Sequence, residues 1–275
     1  MQYREFLKSK LKGHVPRDVP LPSGFHLIGH VALLSLNQDS LSYADKIGEL
    51  TLEYDKRIRS VAIRTGPTEG QTRRPDYTLV AGDSNTVTTH VEQGVRFRVD
   101  PLQLTFSGGN RAERIRMGNI VKPGERVVDM FACVGQFSLH AARTGGAEVV
   151  AIEINPIAYE YLIENIELNG LCERVKAILG DCREVHPIQF ADRVILGYLH
   201  DTQDYLEYAL EALVPRDGIV HMHSTLPERE MSEAVIRTKA ICSDYGFSSE
   251  ISARRVKMYS PNIYHFVFDI AVTQT

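Results

Sequence analysis

The chain has 275 residues, 43% of them hydrophobic and 24% charged, with a formal net charge of -4. That length allows one large or two modest domains with a real core, and the composition is that of a soluble globular protein rather than a disordered or fibrous one. The negative balance excludes a protein that grips nucleic acid by bulk electrostatics and leaves only local basic patches for that role.

In chain order, the first pattern lies in residues 25–36. There the apolar run Val31-Ala32-Leu33-Leu34, bounded by Gly29 and Asn37, predicts a strand. Asp39 or Ser40 is then expected to cap a helix whose apolar residues, Leu41, Ala44, Ile47, Leu50, Tyr54 and Ile58, recur in steps of three and four. Ser60 to Arg64 predicts another strand, and Gly66 to Pro75 a turn-rich loop carrying Arg73 and Arg74. Strand, helix and strand make a small N-terminal α/β domain, expected over 1–98.

From about residue 105 strands and helices alternate. Strands are predicted at 126–131, 148–152, 175–179, 192–197 and 218–222, with a clear helix from Asn155 to Asn169. This order predicts a doubly wound, mostly parallel sheet. The alternating tail from Ala253 to Thr275 predicts a late strand pair forming an antiparallel edge. The second domain is expected over 99–275.

The four cysteines, Cys133, Cys172, Cys182 and Cys242, form no C-x-x-C pair, so neither a zinc site nor a redox dithiol is indicated. Free thiols in a reducing cytoplasm are expected. The start, Met1 to Phe6, has no apolar signal-peptide core, and no window approaches a membrane span.

The stretch Val127 to Phe137 reads as a buried strand, a tight turn with Gly135, and the start of a helix. Asp129, Glu153 and Asp181 fall at three successive strand ends, where open α/β sheets bind ligands. Ala132 and Val134 occupy positions where a dinucleotide fingerprint needs glycine, which makes a pyrophosphate a poor fit and a dehydrogenase improbable. A nucleoside cofactor without phosphates suits the pattern, with S-adenosylmethionine the obvious one. An ionised carboxylate only accepts, and ribose hydroxyls donate, so Glu153 suits the ribose. Asp181 with Cys182 suits the adenine edge, and Asp129 the methionine ammonium. The competing reading makes these acids helix caps or solvated strand ends.

Residues 100–117 contain Phe106-Ser107-Gly108-Gly109-Asn110-Arg111-Ala112-Glu113-Arg114. Together with the Asp129 turn, this F-S-x-x-N-x-x-E-R element resembles the group holding the archaeal and eukaryotic tRNA (guanine-N1) methyltransferases and their sister, tRNA wybutosine-synthesizing protein 2. The resemblance spans nearly the whole chain. It implies a Rossmann-like class I methyltransferase fold and an S-adenosylmethionine shell at Ser107, Arg114, Glu153, Asp181 and Cys182. Arg114 offers a donor fork for a carboxylate such as the methionine end. Ser107 does so more weakly, or caps the helix that begins near Asn110.

Where the methyltransferase sister carries an asparagine, this chain has Gly197, followed by Tyr198 and, later, His221-Met222-His223. This departure resembles the wybutosine branch in its archaeal form. It implies transfer of a 3-amino-3-carboxypropyl group to C7 of 4-demethylwyosine at position 37 of tRNA-Phe. A tRNA (guanine-N1)-methyltransferase and a non-catalytic RNA-binding relative are the alternatives.

The nucleophilic carbon, C7, must lose its proton after attack, so His221, His223 and His200 are candidate bases, each set against a hydrogen-bonded structural role. Arg73 and Arg74, Arg111 and Arg116 beside Arg114, and Arg254, Arg255 and Lys257 are candidate phosphate contacts. Tyr198 and Tyr259 are candidates for stacking on the base. A cytoplasmic monomer that uses no metal, has no membrane segment and docks on the tRNA-Phe anticodon region is expected.

Overall fold

The computed structural model describes residues 1–70 and 72–275. It divides into two compact units, the first formed by Met1–Val91 and Arg96–Gly108 and the second by Glu92–Val95 and Gly109–Thr275.

The first unit begins with helix α1 (Tyr3–Lys10) and continues through β1 (His26–Ile28), β2 (Val31–Leu34), α2 (Ala44–Tyr54), β3 (Ser60–Arg64) and β4 (Tyr77–Gly82). The sheet order is β1-β2-β3-β4, and β2 and β3 run parallel. The link between these two strands is the expected helix, because parallel neighbours need a crossover. Ile47 and Leu50 of α2 and Tyr3 and Leu7 of α1 bury against Ala32, Leu34, Val61 and Ile63 of the strands.

The expected cap is corrected by the structure. A 3-10 turn, Gln38–Tyr43, precedes α2, and no side chain caps α2. The Ser40 hydroxyl donates instead to the Pro20 carbonyl at 2.5 Å. The pair β5 (Thr88–Glu92) and β6 (Val95–Val99) forms a separate two-stranded sheet.

The second unit runs α3 (Arg111–Ile120), β7 (Arg126–Asp129), α4 (Ser138–Arg143), β8 (Glu148–Glu153), α5 (Pro156–Leu168), β9 (Val175–Leu179), α6 (Cys182–Val185), β10 (Arg193–Leu196), α7 (Leu206–Ala212), β11 (Gly218–Leu226), α8 (Met231–Asp244), β12 (Phe247–Ser260) and β13 (Ile263–Gln274). All five predicted strands and the tail pair are present. The seven strands lie in the order β12-β13-β11-β10-β7-β8-β9.

Strands β7 to β11 are parallel neighbours in that order, while β13 runs antiparallel to β11 and β12 antiparallel to β13. The central parallel strands β7 and β10 are buried on both faces, which is why Val127-Val128 and Val194-Ile195-Leu196 read as unbroken apolar runs. Chain order reverses between β7 and β10. That reversal opens a crevice at their carboxyl ends, the place where open α/β sheets bind ligands. Asn155 accepts from the Ile157 amide and Pro156 follows it, a cap and first-turn proline that fix the start of α5 just after Glu153.

Candidate cofactor and acceptor site

Asp129 ends β7 and is fully buried. One of its oxygens accepts from the Phe131 amide at 3.3 Å, and the other from the Ser138 amide at 3.2 Å and hydroxyl at 2.6 Å. Burial pushes its carboxyl up to about 6, opposed by those hydrogen bonds. Its oxygens are covered, so Asp129 shapes the turn and supplies negative charge from beneath it.

Glu153 ends β8. Its Oε2 accepts from the Cys133 amide at 2.6 Å and its Oε1 from the Asn155 amide at 2.8 Å. Burial raises its carboxyl, with the Asp129 charge adding to the rise, and the backbone amides of Asn155, Cys133 and Ile154 oppose it. A carboxylate offers about four acceptor sites, so Glu153 keeps capacity to accept from a ligand hydroxyl as well. Gly135 has φ +91°, and a Cβ there would lie 2.7 Å from Leu139, so the turn requires glycine. Cys133 adopts φ +50°, a left-handed conformation uncommon for a residue with a side chain. Burial pushes its thiol up to about 12, which keeps it protonated and unreactive at neutral pH.

Asp181 follows β9 and caps α6 through the Arg183 amide at 3.0 Å, while its carboxylate takes the Arg183 fork at 2.5 to 3.1 Å. The Arg183 bond holds its carboxyl below the usual range. The Cys182 side chain belongs to the sheet core, and burial raises its thiol to about 12. Only its backbone is therefore suited to an adenine edge.

Arg114 is fully buried. Its fork grips Glu92 at 2.7 and 2.8 Å, and its third nitrogen donates to Gln136 at 3.2 Å. The carboxylate on this fork is the protein's own, which corrects the expectation of direct capture by the fork. Nothing in the sequence signalled Glu92, which lies 22 residues away. Ser107 lies in the first unit, just before the 3-10 turn Gly108–Asn110, and α3 has no side-chain cap.

The three histidines separate. His221 and His223 share one face of β11 as expected, but both are buried. His221 Nδ1 meets Asp269 at 2.5 Å and its Nε2 meets Arg193 at 2.5 Å. His223 Nδ1 meets His265 Nε2 at 2.9 Å. This is the arrangement of structural histidines. His200, partly exposed after β10, lies 3.3 Å from the Tyr259 hydroxyl. His265 was missed, since one histidine in an alternating strand gives no sign of its partner.

Burial lowers His221, His223 and His265, the last to about 4. Lys257 and Arg254 add to the lowering of His265, and Glu113 opposes it. The folded state thus binds fewer protons than the unfolded chain below the ordinary value of 6.5. Stability should be full above 6.5 and fall as pH drops toward 4. For His265 alone the loss is about 3 kcal/mol. Urea unfolding of His265→Phe against pH should show a shallower decline over this range, and an unchanged decline would contradict the assignment.

Among the basic candidates, Arg254 grips Glu113 at 2.6 and 2.7 Å, which corrects its assignment to phosphate. Arg116 pairs with Asp269. Arg255 is exposed, its guanidinium 4.9 Å above the Tyr264 ring and 3.5 Å from Glu228. Lys257 is partly buried beside Gly109, with its ammonium lowered by burial and by Arg114. Arg73 and Arg74 lie in the first unit, where the Arg73 carbonyl accepts from Thr105.

At the crevice between β7 and β10, Tyr198 stacks on Phe131, with centroids 5.2 Å apart and planes 17° apart. A Cβ on Gly197 would lie 3.2 Å from Phe137. Among the described residues no group of three or more His, Cys, Asp or Glu side chains is arranged to hold a metal ion, and no helix is long and apolar enough to cross a membrane.

A doubly wound sheet with an antiparallel edge, acids at three successive strand ends and an aromatic pair at the switch point define the class I methyltransferase architecture. The chain belongs to the TRM5/TYW2 family: the TRM5/TYW2 methyltransferase domain matches residues 88–251, and the TYW2 N-terminal domain matches residues 3–86. It is 37% identical to the tRNA(Phe) (4-demethylwyosine(37)-C(7)) aminocarboxypropyltransferase of Pyrococcus horikoshii, over 97% of each chain. It is 33% identical to the tRNA (guanine(37)-N(1))-methyltransferase Trm5b of Pyrococcus abyssi, over 98% of this chain and 80% of that one. The crystal structure of P. horikoshii TYW2 in complex with MeSAdo superposes with a TM-score of 0.86 at 34% identity, over 99% of this chain and 100% of that one.

Proposed function

We propose that this protein transfers the 3-amino-3-carboxypropyl group of S-adenosylmethionine to C7 of 4-demethylwyosine at position 37 of tRNA-Phe. The observation that carries this reading is the end-to-end match to the P. horikoshii aminocarboxypropyltransferase, which includes the N-terminal domain. MeSAdo, found with that enzyme's structural counterpart, is the thioether left when S-adenosylmethionine gives up this group.

The residues present fit that cofactor. Bound, it supplies an electrophilic carbon next to a sulfonium. Glu153 holds the ribose through the lone pairs that the turn leaves open. The Asp129 charge favours an ammonium above the turn, and Asp181 with the Cys182 backbone faces the adenine. Arg114 completes the cofactor shell by fixing Gln136 in the turn.

Tyr198 provides a flat face for the base, and Gly197 lets the Phe137 ring pack close against the backbone just before it. Which carbon of the sulfonium faces the acceptor sets the product, because only aligned near-attack geometry reacts. On this reading His200, the partly exposed histidine of the three, takes the C7 proton, directly or through water. Arg73, Arg74, Arg255 and Lys257 serve the phosphates. The reading carries with it a cytoplasmic location, docking on the anticodon region and a monomeric state.

The coproduct tests this reading. Incubation with tRNA-Phe carrying 4-demethylwyosine should release MeSAdo in step with modified tRNA, as followed by chromatography. Release of S-adenosylhomocysteine would establish methylation instead. Tyr198→Ala should lower the transfer rate at low tRNA concentration by about 5- to 150-fold, the range for one lost base stack, and an unchanged rate would remove Tyr198 from the acceptor site.

A further inference from the structure

Phe131 stands where the two halves of the site meet. Its amide donates to Asp129, so its backbone belongs to the cofactor turn. Its ring, partly buried, lies parallel to Tyr198 beyond the end of β10. The edge of Tyr205, just before α7, meets it at 5.0 Å and 82°. Arg183 lies 5.7 Å over the Tyr205 ring and carries the fork held by Asp181. A continuous set of contacts therefore runs from the end of β9 to the end of β10 across the topological switch point.

The same aromatic wall continues outward. Tyr198 meets His200 at 6.1 Å, and His200 meets Tyr259 at 5.8 Å, both edge-on. Tyr259 is 41% exposed and sits at a register irregularity near the β12–β13 turn, where a bulge re-aims a side chain.

A base stacked on a tyrosine gains from the face only if that face is held in one orientation beforehand, since ordering a loose ring costs conformational entropy. Tyr198 lies past the last β10 residue, so the sheet ladder does not fix it. Phe131 is the ring that stacks on it, while Tyr205 and His200 meet it edge-on, each at 6.1 Å.

We propose that Phe131 is the positioning residue for the acceptor base. Its ring fixes the plane of Tyr198 and sets that plane against the Asp129 turn, so the flat heterocycle arrives in register with the cofactor. The ring acts through Tyr198 and has no contact of its own with the base. The proposal rests on the functional reading above.

The test uses the full chain with Phe131→Leu, which stays apolar but loses the flat face, and Phe131→Tyr, which keeps it. Phe131→Leu should raise KM for the acceptor tRNA about 5- to 10-fold, the scale of one lost aromatic pair, while Kd for S-adenosylmethionine by calorimetry changes less than about twofold, below the effect of one lost hydrogen bond. Phe131→Tyr should restore KM. In a Tyr198→Leu background, Phe131→Leu should add nothing further to KM, because its effect passes through that ring.

An unchanged KM in Phe131→Leu, a matching loss of cofactor affinity, failure of the tyrosine rescue, or full additivity with Tyr198→Leu would each overturn the proposal. Should Phe131→Leu not fold, Phe131→Met, longer and more adaptable, replaces it with the same expectations. The wild-type product is weighed in parallel. Methylated guanosine there would overturn the functional reading, and the variants would then be compared on guanosine tRNA, so the two failures stay distinct.

Discussion

Glu153→Ala is expected to weaken S-adenosylmethionine binding by about 10- to 150-fold for each charged hydrogen bond lost, which corresponds to about 1.5–3 kcal/mol. The geometry adds a second cost. Both Glu153 oxygens already hold backbone amides, those of Cys133 and Asn155, and thereby tie the β7 turn to the start of α5. Removing the carboxylate leaves two partly buried donors without their acceptor and frees Cys133 from a left-handed conformation that it adopts at a cost.

Glu153→Gln separates the two effects. The amide keeps one acceptor oxygen for the turn but loses the charge and half the acceptor capacity. It should retain more stability than the alanine variant while still losing cofactor affinity. Calorimetric titration of both variants checks this, and wild-type affinity in Glu153→Ala would remove Glu153 from the cofactor site.

Asp129→Asn is expected to move stability and affinity in opposite directions. The carboxyl of Asp129 is raised from 3.8 to about 6, with burial the main cause. Between those values the folded state holds a proton that the unfolded chain has released, so its contribution to stability rises as pH falls from 6 to 3.8. Above 6 the buried charge costs about 3 kcal/mol.

Asparagine is neutral and removes that cost, but its amide nitrogen accepts nothing, so its single oxygen cannot serve both Phe131 and Ser138. The net gain at pH 7 should therefore be about 1–2 kcal/mol, less than the full electrostatic cost. Cofactor affinity should fall about tenfold, for loss of one favourable charge beneath the ammonium. Urea unfolding at pH 5 and 7 together with calorimetry measures both. A variant less stable than the wild type at pH 7 would show that the hydrogen bonds outweigh the buried charge.

The architecture was legible because apolar periodicity reports burial directly. Val127-Val128 and Val194-Ile195-Leu196 announced central parallel strands, and the alternating tail announced the antiparallel edge. The acids at strand ends were legible for the same reason, since their positions follow once the strands are placed.

What each polar group touches was not legible. Arg114 was expected to hold a carboxylate and does, but that carboxylate is Glu92 of the β5–β6 pair, a partnership made by tertiary structure. His221 and His223 carried a catalytic look because histidines two apart share a strand face. That face is packed against Asp269, Arg193 and His265 rather than open to a substrate. The Ser40 hydroxyl failed as a cap because a 3-10 turn placed it against Pro20. Phe131 lay inside the motif read for its acid and glycine, and its stacking on a residue 67 positions later became visible only with β7 beside β10.

The central claim is the group transferred and the base that receives it. The most direct measurement is mass spectrometry of position 37 after incubating the protein and S-adenosylmethionine with tRNA-Phe bearing either guanosine or 4-demethylwyosine. The expected result is a single aminocarboxypropyl group on the tricyclic base and no change on guanosine. A single methyl group on guanosine would contradict the account and place the chain's activity with the methyltransferase sister.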